Sequence, residues 1–277
     1  MSIFDQKVIK YEMKPLSSLE KVFPDETPVY RMECQMLSGL WGETVSFQVA
    51  YTGDFVMRER LDVRVVSELA EHVHVRTVEM VPVGRATNGI VDDNYLKTIS
   101  GLYPDLLKDL KDGKVIVYSR QWRSLWVDVD ITNEIPAGEY EIELQLIKEG
   151  EVVCSAKQKV TVIGTELPKL DIMHTEWMHA DCLADYYHVE VFSEEHWKLL
   201  ENYFQEYVKR DCNMMLTPLF TSPLDTAIGL ERTTCQLIDV EVKDGEYVFG
   251  FEKLKRWIDL CKKCGIEYFE MSHLFSQ

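Results

Sequence analysis

The apolar residues of this chain change period partway along it. From Val29 to Val162 they recur at every second position, in Glu43-Thr-Val-Ser-Phe-Gln-Val-Ala-Tyr, Leu61-Asp-Val-Arg-Val-Val, Val73-His-Val-Arg-Thr-Val-Glu-Met-Val, Ser124-Leu-Trp-Val-Asp-Val-Asp-Ile, Gly138-Glu-Tyr-Glu-Ile-Glu-Leu-Gln-Leu and Ala156-Lys-Gln-Lys-Val-Thr-Val-Ile. Alternation of this kind, punctuated by Gly, Asp and Pro, marks half-buried antiparallel strands packed as a sandwich. Val29-Tyr-Arg-Met-Glu-Cys-Gln-Met reads as a further strand, and Glu149-Gly150 as a tight hairpin turn. The stretch from Gly84 to Gly113 breaks the rhythm, and its Gly101-Leu-Tyr-Pro-Asp-Leu-Leu reads as a packed loop.

Past Thr165-Glu-Leu-Pro168 the spacing becomes helical. Ser193 is placed to cap a helix carrying Trp197, Leu200, Phe204, Tyr207 and Val208 on one stripe. Leu254, Trp257, Ile258 and Cys261 form a second stripe, with Gly265 placed to end it. Before, between and after these helices lie three strand candidates: Asp171-Ile-Met-His-Thr-Glu-Trp, Asn213-Met-Met-Leu-Thr-Pro-Leu-Phe and Ile266-Glu-Tyr-Phe-Glu-Met-Ser-His, with a long loop between the second strand and the second helix. Strands joined by crossover helices form parallel βα units. The expected architecture is therefore an antiparallel β-sandwich over 1–165, followed over 166–277 by the first βα units of a (β/α)8 TIM barrel, which is left incomplete where the sequence stops. The 277 residues accommodate two domains at ~100–200 residues each.

Charge excludes several functions. A net charge of -17 repels phosphate backbones, so nucleic acid and anionic membrane surfaces are not expected partners. No apolar run reaches the ~20 residues of a membrane span, and the amino terminus has no export signal pattern. Seven mostly solitary cysteines suit a reducing compartment, so the expected location is the cytoplasm. Cys261-Lys-Lys-Cys264 is a lone pair whose first member continues a helix stripe, and His174, His179, Cys182 and His273 lack zinc-ligand spacing. No metal and no cofactor are expected. Serine-nucleophile elbows and phosphate loops are absent as motifs.

The polar groups that end the strand candidates carry the functional expectation, because a barrel presents the carboxyl ends of its strands to substrate. In the first of them, the two-residue period sets Ile172, His174 and Glu176 on one face and Met173, Thr175 and Trp177 on the other. An indole beside hydrogen-bonding groups suits the apolar face and hydroxyl rim of a sugar. The expected substrate-binding residues are His174, Trp177, His179 and Asp181, joined by Thr217 and His273 from the next two strands. The loop from Thr221 to Thr234 exceeds a plain βα connection and is expected to fold over the barrel mouth, with Asp225, Glu231 and Arg232 as further contact candidates.

Taken together, Trp122-Arg-Ser-Leu-Trp-Val-Asp-Val, Gly138-Glu-Tyr, Thr175-Glu-Trp-Met-His-Ala-Asp-Cys-Leu-Ala, Leu216-Thr-Pro-Leu-Phe-Thr-Ser-Pro-Leu-Asp-Thr and Glu231-Arg-Thr-Thr-Cys-Gln-Leu resemble proteins of glycoside hydrolase family 123 and the uncharacterised bacterial family grouped with them. The resemblance implies an amino-terminal β-sandwich and a TIM barrel acting on β-linked N-acetylgalactosamine. It also implies an adjacent Asp-Glu pair on a later barrel strand. There Glu serves as general acid, and Asp holds the substrate's acetamido group as that group attacks the anomeric carbon. The only Asp-Glu dipeptide here is Asp25-Glu26, ahead of the sandwich strands. No catalytic residue is therefore assigned within the chain: the acid pair is expected beyond Gln277, and the chain by itself is expected to be inactive. The alternative reading is a non-catalytic carbohydrate-binding or scaffold protein built on the sandwich. The oligomeric state is left open.

Overall fold

The computed structural model describes residues 10–28, 36–55, 57–87, 89–169, 171–220 and 231–272. The chain divides into two compact units, Met1–Pro168 and Lys169–Gln277. In the first, the described strands are β1 (Lys10–Ser17), β2 (Met36–Trp41), β3 (Thr44–Asp54), β4 (Glu59–Val66), β5 (Val73–Val83), β6 (Gly101–Asp109), β7 (Lys114–Val117), β8 (Arg123–Asp130), β9 (Gly138–Lys148) and β10 (Glu151–Glu166). They form two five-stranded sheets, ordered β1-β3-β8-β5-β6 and β2-β10-β9-β4-β7, in which every pairing is antiparallel except that of β10 with β2. The alternation read from the sequence supplies the core. Phe47, Val49, Leu125, Val127 and Val129 from one sheet meet Leu61, Val117, Ile142, Leu144, Leu146 and Val160 from the other, all at most 1% exposed. Each such side chain contributes roughly 1.5–3 kcal/mol by leaving water. The expected β-sandwich is the observed one.

The Glu149-Gly150 turn joins β9 to β10 with positive φ at both residues (51° and 87°), the geometry that matches strand twist in a two-residue hairpin. The expected packed loop at Gly101 is corrected: residues 101–109 are β6, paired with β5 along the sheet edge. A proline within the run disfavours a strand interior. The register between β5 and β6 shifts at Glu79/Met80, opposite Pro104 and Leu106, and a bulge on an edge strand is where proline is tolerated. Most of the Val29–Met36 strand candidate lies outside the described residues.

The second unit contains α1 (Ala180–Tyr187), α2 (Glu194–Val208), β11 (Met214–Thr217), β12 (Asp239–Lys243), β13 (Glu246–Gly250), α3 (Glu252–Cys264) and β14 (Tyr268–Met271). The side chain of Ser193 accepts from the His196 amide and caps α2, while Gly265 ends α3 at φ 104°. The two stripes pack on each other: the Trp257 ring lies 5.0 Å from Phe204 and 6.5 Å from Trp197, in a cluster that includes Leu200 and Cys261, with Tyr207, Val208 and Leu254 partly buried against it and Ile258 half-buried. β11 and β14 pair in parallel, Met214 opposite Tyr268 and Thr217 opposite Met271, as the strands of a βα unit do. This is the beginning of a (β/α) barrel.

Two local readings are corrected. Residues 171–178 belong to no helix or strand. The Asn213 side chain takes the place of a ladder partner there, accepting from the His174 amide (2.8 Å) and donating to the Ile172 carbonyl (2.8 Å). The stretch after Ile238, for which no strand was expected, is the β12–β13 hairpin, turned by Asp244 and Gly245. No described helix is long and apolar enough to cross a membrane.

Candidate functional site

The carboxyl ends of β11 and β14 are tied together by short polar contacts. The Ser272 amide donates to the Thr217 carbonyl (3.0 Å), and the Ser272 hydroxyl accepts from the Leu219 amide (3.1 Å). The chain then returns over this end, where the Leu237 and Ile238 amides donate to the carbonyls of Pro218 and Leu219. Thr217 is fully buried, its hydroxyl donating to the Met215 carbonyl (3.1 Å), so it shapes the strand end from inside.

Trp177 is the exposed aromatic of this region, with 58% of its surface open. Its indole Nε1 donates to Glu270 Oε2 on β14 at 3.0 Å, which fixes the ring beside a half-buried carboxylate. The segment is held from behind by Tyr207 of α2, whose hydroxyl accepts from the Glu176 amide (2.8 Å) and reaches the Met214 carbonyl (2.7 Å). Burial raises the Tyr207 pKa, the largest of its causes, and keeps the phenol protonated and able to donate.

His179 occupies the amino-terminal cap of α1 in an extended conformation. Asp181, in the first turn of that helix, is 2% exposed and forms a two-pronged ion pair with Arg232, which contacts Oδ2 through Nε and Oδ1 through Nη2 (3.0 Å). Thr233 adds a hydrogen bond to Asp185 at 2.7 Å. Together they pin the 231–234 segment onto α1. Asp181 at a helix amino terminus is also favoured by the backbone dipole.

His174 lies elsewhere. Its carbonyl accepts from the amides of Asn213 and Met214 at the amino end of β11, and its ring reaches Glu176 (3.3 Å) and the Asp211 carbonyl (3.2 Å). Thr217 ends the same strand, about 10 Å away at ~3.3 Å per residue. The structure thus brings Trp177 to Glu270 and Asp181 to Arg232, and sets His174 at the opposite end of β11 from Thr217. His273 and Asp225 lie outside the described residues. Among the described residues, no group of three or more His, Cys, Asp and Glu side chains is placed to hold a metal ion. Cys235 is buried, and burial pushes its thiol up to about 12, so it is an inert core group.

Glu270 and Tyr207 were not singled out in the sequence. Glu270 had a readable signal, being a charged residue one step from the end of an otherwise apolar strand. Tyr207 had none beyond its place on a helix stripe.

Comparison with known proteins agrees with this layout. Residues 177–277 match the family model described as glycoside hydrolase 123, catalytic domain. Among solved structures, the chain is similar to a family 123 glycoside hydrolase from Clostridium perfringens, with TM-score 0.65 and 14% identity over 93% of this chain and 46% of that one. The chain therefore spans about half the length of that protein. A β-glucosidase from Listeria innocua aligns at TM-score 0.27 and 10% identity over 58% of this chain and 17% of its own. AvmM, which catalyzes macrocyclization in alchivemycin A biosynthesis, aligns at TM-score 0.29 and 11% identity over 59% of this chain and 93% of its own. Neither likeness carries an argument. No match is found among curated proteins. Residues 177–277 thus resemble the glycoside hydrolase 123 catalytic domain, and the chain as a whole shares its fold, antiparallel sandwich followed by the start of a (β/α) barrel, with part of a family 123 enzyme.

Proposed function

We propose that this chain supplies the sandwich and one substrate-facing wall of a carbohydrate-acting, glycoside hydrolase 123-like protein, and that the sugar recognised is a β-linked N-acetylgalactosamine. The observation that carries the reading is Trp177. It is an exposed indole, hydrogen-bonded to Glu270, in the segment matched by the family model. An aromatic face takes the C–H surface of a pyranose, and the free lone pairs of the Glu270 carboxylate accept from its hydroxyls. Arg232, oriented by Asp181, donates toward ring substituents, and His179, at the amino-terminal cap of α1, is a further donor to the same sugar. Asp181 and Thr217, both buried, act by positioning. His174 supports the segment from the amino end of β11 and is given no sugar contact.

In the proposed reaction, a Glu protonates the leaving oxygen while an adjacent Asp steadies the acetamido group that attacks the anomeric carbon. The only Asp-Glu dipeptide of this chain is Asp25-Glu26, in the sandwich unit between β1 and β2. That observation favours a second reading, a sugar binder without turnover. The two are separated by titrating the purified chain calorimetrically with N-acetylgalactosamine and, in parallel, offering it a chromogenic β-N-acetylgalactosaminide. Saturable binding that Trp177→Ala abolishes, with no release of chromophore, is expected of this chain. Absence of binding, or binding indifferent to Trp177→Ala, would refute the substrate wall.

A further inference from the structure

We propose that the sandwich carries an oxyanion-binding site, distinct from the Trp177 region and built around Arg123, for a small ligand that bears a sulfate, phosphate or carboxylate group together with hydroxyls. A cavity of about 570 Å³ opens among β4, β5, β6, β7 and β8, a volume suited to a molecule of sugar size. Its lining holds five cationic side chains against two acidic ones, in a chain where Asp and Glu outnumber Lys and Arg by 47 to 30. Two of those cations are already neutralised, Arg60 by Asp112 at 2.8 Å and Lys114 by Asp62 at 3.3 Å. Lys108, Lys111 and Arg123 have no carboxylate within ion-pair distance among the described residues.

Arg123 is prepared for a ligand. Its guanidinium lies 5.1 Å from the centre of the Tyr118 ring, and Nη2 donates to Gln121 at 3.1 Å, which fixes the plane of the fork. Its Nε is buried and has no hydrogen-bond partner among the described residues. Nε is closed off behind the terminal nitrogens, so the ligand is met by Nη1, which makes no hydrogen bond among the described residues, and by Nη2, and their two parallel donors match two oxygens of such a group at once. Lys108 and Lys111 add point charges that need no fixed geometry. The two acids, Glu79 and Asp109, suit the remainder of the ligand, because carboxylates accept from hydroxyls.

The test is calorimetric titration of the whole chain with sodium sulfate, sodium phosphate and sodium glucuronate at constant ionic strength. At least one should bind saturably with Kd at or below about 1 mM, and the tightest of the three identifies the group recognised. Arg123→Gln should weaken that binding about tenfold or more, as loss of charge-assisted hydrogen bonds does, and the Lys108→Gln/Lys111→Gln pair should weaken it as well. Lys157→Gln, which removes a cation bound to Glu141 outside the cavity, should leave it unchanged. Where Arg123→Gln fails to fold, the lysine pair decides. Absence of saturable binding by all three anions, or affinity that survives the cavity substitutions, overturns the proposal.

Discussion

Replacing Tyr207 by Phe removes one oxygen and keeps the ring packed in the α2 stripe, so it isolates the clamp that holds the Trp177 segment. The hydroxyl accepts from the Glu176 amide at 2.8 Å and reaches the carbonyls of Met214 at 2.7 Å and Glu176 at 3.0 Å. Its single proton serves one carbonyl at a time, so two short hydrogen bonds are lost, besides the longer 3.4 Å contact with the Thr175 hydroxyl. A neutral bond contributes about 1 kcal/mol net of what water restores, and the abandoned groups lie on exposed Glu176 and half-buried Met214, within reach of water, so the expected cost is about 2 kcal/mol. That corresponds to roughly a 30-fold rise in the open population of the segment. Hydrogen exchange followed by mass spectrometry reads it directly: peptides containing Glu176 and Trp177 should exchange faster in Tyr207→Phe, while the sandwich strands β8 and β9 keep their protection. Unchanged exchange at Glu176 together with an unchanged unfolding midpoint would show that the hydroxyl does not hold the segment, and the reasoning about Trp177 would lose its support.

Other substitutions probe the same unit. Arg232→Met leaves the buried Asp181 carboxylate without its two-pronged partner and should cost about 3 kcal/mol in denaturant unfolding, of which an added Asp181→Leu should restore a large part; equal stability of the single variant and wild type would contradict the pairing. Gly265→Ala forces a side chain into φ 104°, with its Cβ 3.3 Å from Val208 Cγ1, and should lower stability by about 1–2 kcal/mol; a neutral result would show that α3 ends differently. His196 is buried, with Nδ1 accepting from the Phe192 amide and Nε2 facing the Ala180 carbonyl, and desolvation lowers its pKa below the ordinary 6.5. The unfolded chain therefore takes up the proton first as pH falls, so the contribution of His196 is complete above 6.5 and is lost progressively below it. Midpoints measured from about pH 7 to about pH 5 should fall less steeply in His196→Gln than in wild type, and parallel slopes would rule the residue out.

Where period and turn chemistry agreed, the fold was legible from residues alone. Alternation in β8 and β9 placed Leu125, Val127, Ile142 and Leu144 in the sandwich core, and Ser193 and Gly265 bounded their helices as capping rules require. The failures have local causes. Pro104 masked β6 because the tolerance of proline depends on an edge position and on the bulge at neighbouring Asp105, both of which are set by how β6 pairs with β5. The polar run at 174–181 looked like the end of one strand, but beside the backbone bonds to the His174 carbonyl it is the Asn213 side chain that takes the His174 amide and the Ile172 carbonyl, and the run ends inside α1. Asp244-Gly245 between Val240-Glu-Val-Lys and Glu246-Tyr-Val-Phe was a readable hairpin signal that went unused. Residue identity could not tell a ligand-facing carboxylate from a buried one: Asp181 is turned inward by Arg232, and that pairing spans 51 positions in sequence.

The central claim is that the exposed Trp177 indole, with Glu270 beside it, is a sugar-binding surface. A crystal structure of the chain with bound N-acetylgalactosamine tests it most directly. The account predicts the pyranose ring seated on the indole face, with hydroxyls within hydrogen-bond distance of Glu270 and Arg232. A sugar seated in the sandwich unit, or at the amino end of β11 beside His174, with the Trp177 face left bare, would contradict it.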